Sequence, residues 1–71
     1  MKCITNRAPE FLKEAYKHAA LELVPHAGWV QPGEKFIEWQ RPRWAVYQMT
    51  AERVPRFAGS YPTCNSAMFH I

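Results

Sequence analysis

The chain has no aspartate: its six carboxylate side chains are all glutamate, and its 71 residues include two cysteines and three glycines. Without aspartate, neither cysteine has that residue to orient a Cys–His pair, so covalent catalysis lacks its usual third member. Cys3 and Cys64 could close one disulfide at most, whereas small secreted domains usually carry four or more cysteines, so both read as free thiols. Cys3, His18, His26, Cys64 and His70 contain no closely spaced ligand pair, which argues against a structural zinc site. His18 and His26 read instead as a surface helix histidine and a loop histidine. Gly28, Gly33 and Gly59 are scattered, so no phosphate-cradling loop is present. Long apolar runs are missing too, and the chain does not open with a basic, then apolar, then small-residue pattern, so neither a membrane span nor a secretory signal is expected. These absences predict a cytoplasmic binding protein with no catalysis, cofactor, metal or membrane association, and it is read as a monomer.

A chain of this length, 48% hydrophobic and 21% charged, supports one small core. Residues 1–6 hold a short apolar patch at Cys3 and Ile4, enough for a brief strand or an ordered arm. Residues 9–23 read as an amphipathic helix. Pro9 suits the first helical position and Glu10 the positive end of the dipole. Leu12, Ala15, Tyr16, Ala19 and Leu23 fall on one face, while Lys13, Glu14, Lys17 and His18 face away. Leu21 lands on the charged side, where it is either inert or available to a partner. Pro25 and Gly28 end the pattern.

The period then changes. Residues 28–31, 35–40 and 44–49 are short runs rich in aromatic and β-branched side chains, and they predict a three-stranded antiparallel meander. The first separator, Gln31-Pro32-Gly33-Glu34, has the residue order of a type II turn, whose third position requires positive φ. The second, Gln40-Arg41-Pro42-Arg43, has proline without glycine and leaves the turn type open. Both faces of these strands carry aromatics, so one can receive the helix and the other needs a cover. Thr50 to Arg53 could cap and begin a helical turn ended by Pro55. Residues 57–71 hold no lysine, arginine, aspartate or glutamate and show no sustained period. They read as a mobile or loosely packed tail, although Phe57, Tyr61, Met68 and Phe69 could pack over the open face. The expected architecture is therefore α+β: an amphipathic helix on a three-stranded meander over residues 1–56, with 57–71 as the tail.

The charges of residues 1–34 balance, so residues 35–56 carry the whole net charge of +3. Lys35, Arg41, Arg43, Arg53 and Arg56 are the candidate partner-binding residues. Four of the five are arginine, whose planar fork suits carboxylate and phosphate and stacks on aromatic faces. Trp39-Gln40-Arg41-Pro42-Arg43-Trp44 places two of them at a hairpin tip between indoles, a pairing enriched at protein interfaces. The plainer alternative makes Arg41 and Arg43 solvated turn residues, with Trp39 and Trp44 packing across the hairpin. Single-stranded nucleic-acid binding could use the same cations with an aromatic stacking platform, but +3 is low for holding nucleic acid at physiological salt.

Taken end to end, the opening MKCITNRAPEFLKEAY, the hairpin WQRPRWAVYQM and the neutral tail resemble the small RNA polymerase-binding transcription regulators of Xanthomonas bacteriophages. The resemblance implies a phage protein acting in the host bacterial cytoplasm. It would grip the N-terminal region of the polymerase β′ subunit and the β flap, hinder σ-dependent promoter recognition, and promote antitermination near the RNA exit channel. Nascent RNA would be a secondary contact. The alternatives are a small single-stranded nucleic-acid-binding protein and a phage inhibitor of another host enzyme.

Overall fold

The computed structural model describes residues 1–6 and 20–69. These form a five-stranded mixed sheet with one short C-terminal helix, which overturns the expected helix on a three-stranded meander. The strands are β1 (Lys2–Ile4), β2 (Glu22–Val24), β3 (Lys35–Gln40), β4 (Arg43–Met49) and β5 (Pro55–Tyr61), and the helix is α1 (Cys64–Phe69). In space the strand order is β2-β1-β3-β4-β5. β1 runs parallel to both its neighbours, pairing Cys3 with Leu23 and with Ile37, while β3, β4 and β5 form an antiparallel meander. Parallel neighbours require a long connection, about a dozen residues or more, which the stretch between β1 and β2 can supply.

The expected helix over residues 9–23 lies largely outside the described residues, and its C-terminal end is not helical. Glu22–Val24 is strand, and Leu21, expected on a charged helix face, is a core residue beside Cys3 and Ile37. β3 and β4 stand where the aromatic and β-branched runs put them. The run at residues 28–31 does not pair: Ala27–Trp29 is a 3-10 turn, entered with the Gly28 amide donating to His26 Nδ1 at 3.1 Å. The third strand of the meander is β5, drawn from residues expected to be a tail and from the proline expected to end a helical turn. Thr50 to Arg53 form the hairpin turn between β4 and β5, with the Arg53 amide donating to the Thr50 carbonyl at 2.9 Å. The type II signal at Pro32-Gly33 is realised, since Gly33 has φ 89° and the Glu34 amide donates to the Gln31 carbonyl at 3.0 Å. The Arg41–Pro42 peptide is cis, with proline at the third position of the β3–β4 turn, as in a type VI turn.

Alternation along the strands divides the apolar residues between two faces. On one, Cys3, Ile37, Trp44 and Val46 pack with Leu21 and with Cys64 and Ala67 of α1. On the other, Ile4, Phe36 and Met49 pack with Val24 and Val30. The sheet is thus covered by α1 on one side and by the segment around Val30 on the other. Trp44 is fully buried, and its ring packs against Trp39 with centroids 5.4 Å apart. Removing an aromatic of this size from water contributes about 2–3 kcal/mol. α1 begins at a side-chain cap, the Ser66 amide donating to Thr63 Oγ1 at 3.0 Å.

Candidate partner-binding surface

The five predicted cations do not form one patch. Lys35 and Arg56 share a row across the meander, because Lys35 pairs with Gln48 and Gln48 with Arg56. By alternation this row lies on the face that carries α1, two residues beyond Ile37 and Val46. Together with Phe57 and Ala58, the row lines an open cleft of about 390 Å3. Ala58 is the extra residue of a β-bulge: Val46 pairs with Gly59 and Tyr47 with Phe57, leaving Ala58 without an opposite number. Among the described residues, no carboxylate pairs with either cation of the cleft.

Arg43 lies on the opposite face. Its Nε donates to Ser60 Oγ at 2.9 Å and its Nη2 to the Ser60 carbonyl at 3.0 Å, tying β4 to the edge strand β5. Beside it, Gln40 Nε2 donates both to Glu38 Oε1 at 3.0 Å and to Tyr47 Oη at 2.7 Å. Tyr47 stacks on Phe36 with centroids 5.3 Å apart and meets Phe57 edge-on at 5.7 Å. Arg41 occupies the exposed tip of the β3–β4 turn. Arg53, at the other end of the sheet, has φ 62°, and its Nη2 donates to the carbonyls of Gly28 at 3.0 Å and Val30 at 3.3 Å. Its guanidinium closes the segment that covers Ile4, Phe36 and Met49.

The indoles flanking the Arg41-Pro42-Arg43 turn pack inward: Trp44 is buried and Trp39 partly so. The two indoles pack across the hairpin as the plainer reading expects, but Arg43, which that reading makes a solvated turn residue, is a strand residue bonded to Ser60. The exposed apolar side chains include Trp29 at 58%, Val54 at 61% and Phe57 at 59%. None of the three was singled out as a surface residue from sequence. Trp29 was hidden by reading its run as a strand, Phe57 by reading β5 as tail.

A second charge cluster was also missed. Lys2 Nζ donates to Glu34 Oε1 at 2.9 Å and to the Trp29 carbonyl at 2.8 Å, with Glu22 Oε2 at 3.4 Å. Its hydrogen bond to Glu34 raises the Lys2 pKa, and that bond together with the Gln31 amide holds the Glu34 carboxyl below the ordinary glutamate range. This cluster joins β1 to the entrance of β3, a pairing across more than thirty residues that no local pattern signals.

Burial, with a smaller effect from Cys64, pushes the Cys3 thiol up to about 12, so it is neither thiolate nor accessible at neutral pH. Cys64 is equally enclosed, and neither cysteine is in a disulfide. Among the described residues no three His, Cys, Asp or Glu side chains converge as metal ligands, and no helix is long and apolar enough to cross a membrane. The chain matches no family model, no curated protein and no solved structure, so the surface is read from its own geometry.

Proposed function

We propose that the chain is a phage-encoded binding protein that docks on host RNA polymerase in the bacterial cytoplasm, hinders σ-dependent promoter recognition and promotes antitermination. The resemblance to the Xanthomonas phage regulators supplies the partner. The observation that supports a docking role is the pair Lys35 and Arg56 in an open cleft, with no carboxylate partner among the described residues, together with the exposed ring of Phe57 at the same sheet edge on the other face. A surface of this kind binds by charge complementarity at its rim and by apolar contact at its centre. The mechanism is occupancy: a small basic body beside the RNA exit channel narrows the space in which a terminator hairpin forms and covers a surface that σ requires. A net charge of +3 suffices because protein contacts carry the affinity, with RNA phosphates as secondary contacts.

Affinity capture from a nuclease-treated bacterial lysate, with retained proteins identified by mass, tests the proposal. Recovery of the polymerase β and β′ subunits at stoichiometric level is expected, followed by σ displacement and terminator read-through in reconstituted transcription. Recovery of a different host enzyme instead would favour the inhibitor alternative. A nucleic-acid reading draws on the exposed Trp29 and Phe57 rings, which could stack on bases. It requires tryptophan quenching by single-stranded oligonucleotide that weakens steeply with salt, and absence of quenching at low salt removes it.

A further inference from the structure

The cleft of Lys35, Gln48 and Arg56 is built to take carboxylates, and we infer that it seats an acidic segment of the protein partner. This inference rests on the protein-binding reading and names the chemistry of the segment that reading requires. Adjacent strands lie about 4.8 Å apart, so Lys35 and Arg56, separated by β4, stand roughly 10 Å apart at their backbones. Both residues line the opening. Between them in register stands Gln48, its Nε2 donating to the Gly33 carbonyl at 3.4 Å. An amide nitrogen carries two hydrogens, so a second remains for a ligand oxygen. The three side chains together present an ammonium, an amide N–H and a guanidinium fork, all donors, and the fork accepts a carboxylate through two parallel bonds.

The cleft walls distinguish a peptide from a nucleic-acid backbone. Ala58, the bulge residue, lines the opening, and Val54, just before β5, is also exposed, so an acidic segment seated here would have apolar side chains near the cations, while the Phe57 ring lies across the sheet against Tyr47. Two cations neutralise about two phosphates, and each phosphate contact loses affinity as salt rises, which leaves little binding to RNA at physiological salt. A segment that alternates glutamate with a small apolar residue satisfies both the cations and the apolar wall at Ala58. The volume of about 390 Å3 accommodates side chains of this size, although the site is an open cleft and not a closed cavity.

Fluorescence anisotropy of the full chain tests the inference with three labelled probes: a peptide of alternating glutamate and alanine, the same peptide with glutamine for glutamate, and an oligouridylate of matching length. The acidic peptide should bind at physiological salt and the glutamine peptide should not. Lys35→Gln with Arg56→Gln should weaken the acidic peptide by roughly tenfold or more, with an unchanged thermal midpoint. Should the double variant fold poorly, Arg56→Gln alone, on the edge strand, reads the same loss to a smaller extent. The inference is overturned by unchanged affinity in the folded variant, by binding of the oligouridylate with none of the acidic peptide, or by no binding of any probe. Capture of polymerase by wild type and double variant alike would remove the cleft and keep the polymerase reading. Acidic-peptide binding that depends on Lys35 and Arg56, with no polymerase captured, would keep the cleft and remove the polymerase.

Discussion

Arg53 occupies a backbone conformation that side chains seldom adopt, and its guanidinium is the tether that gives it a reason to be there. The turn from Thr50 ends on Arg53 in the left-handed conformation, the position in such three-residue hairpin loops where glycine is the usual choice. A residue with a Cβ at this φ costs about 1–2 kcal/mol. Against that cost stand the hydrogen bonds from Nη2 to Gly28 and Val30, worth about 1 kcal/mol each in a partly exposed setting. Arg53→Ala loses the bonds and keeps the strain, so it should destabilise by about 1–2 kcal/mol, a fall in Tm of about 4–16 °C for a domain of this size. Arg53→Gly loses the same bonds but relieves the strain, and should stand about 1 kcal/mol above the alanine variant and near wild type. Urea unfolding followed by tryptophan fluorescence measures the series. Amide exchange at Trp29 and Val30, whose N–H groups bond to His26 and Ala27, reads the tether itself and should accelerate in both variants. If alanine proves as stable as glycine, the backbone argument is wrong. If exchange at those two amides does not change, Arg53 does not hold the covering segment.

Three further outcomes follow from the same geometry. The Glu34 carboxylate has its folded pKa lowered by Lys2 and the Gln31 amide, so its contribution is complete above the ordinary glutamate range and disappears as pH falls through the folded value; Glu34→Gln should therefore be less stable than wild type at neutral pH and equal to it in strong acid, and a difference in midpoint that persists in acid refutes the pairing. Cys3 and Cys64 should resist a thiol reagent in the native protein at neutral pH and react fully once denaturant is added, whereas rapid native labelling would show that the core around α1 opens readily. Trp44→Ala should cost about 3–5 kcal/mol, enough to leave a domain of this size largely unfolded by circular dichroism, while Trp44→Phe should stay folded; a cooperative, near-native transition for the alanine variant would contradict the placement of Trp44 at the centre of the core.

The parts of the fold legible in the sequence are those whose signal is local. Trp44 to Met49 and Lys35 to Gln40 are dense in residues that fit a pleated surface, and Pro32-Gly33 carries its turn in two letters. β5 was hidden for a physical reason. It is an edge strand containing Gly59 and a bulge at Ala58, so its alternation is broken where a period would be counted. α1 spans less than two turns, too short to show a helical period, and its start is marked only by Thr63. The residues around Trp29 have strand composition, but His26 accepts the Gly28 amide and turns the chain before a strand can extend. β1 and β2 are three residues each, and their parallel pairing depends on contacts distant in sequence that neither segment announces.

The same distinction applies to the candidate surface. Composition placed the positive charge in residues 35–56, but a cation is a binding group only if the fold leaves it unspent. Arg43 is bonded to Ser60 and Arg53 to the carbonyls of Gly28 and Val30, so withdrawing either from its place loosens the sheet edge or the segment over the second core. Lys35 and Arg56 come together only because β5 exists and pairs with β4 in a register that puts Gln48 between them. A helical turn ended by Pro55, as expected from sequence, would have separated them. The pairing of Lys35 with Arg56 is therefore set by the strand that was hardest to see, and substitutions at Arg53 should act mainly on stability while those at Lys35 and Arg56 act on binding. Measuring both quantities for each variant separates the two roles, and an Arg53 variant that weakens binding at unchanged stability would return that residue to the partner surface.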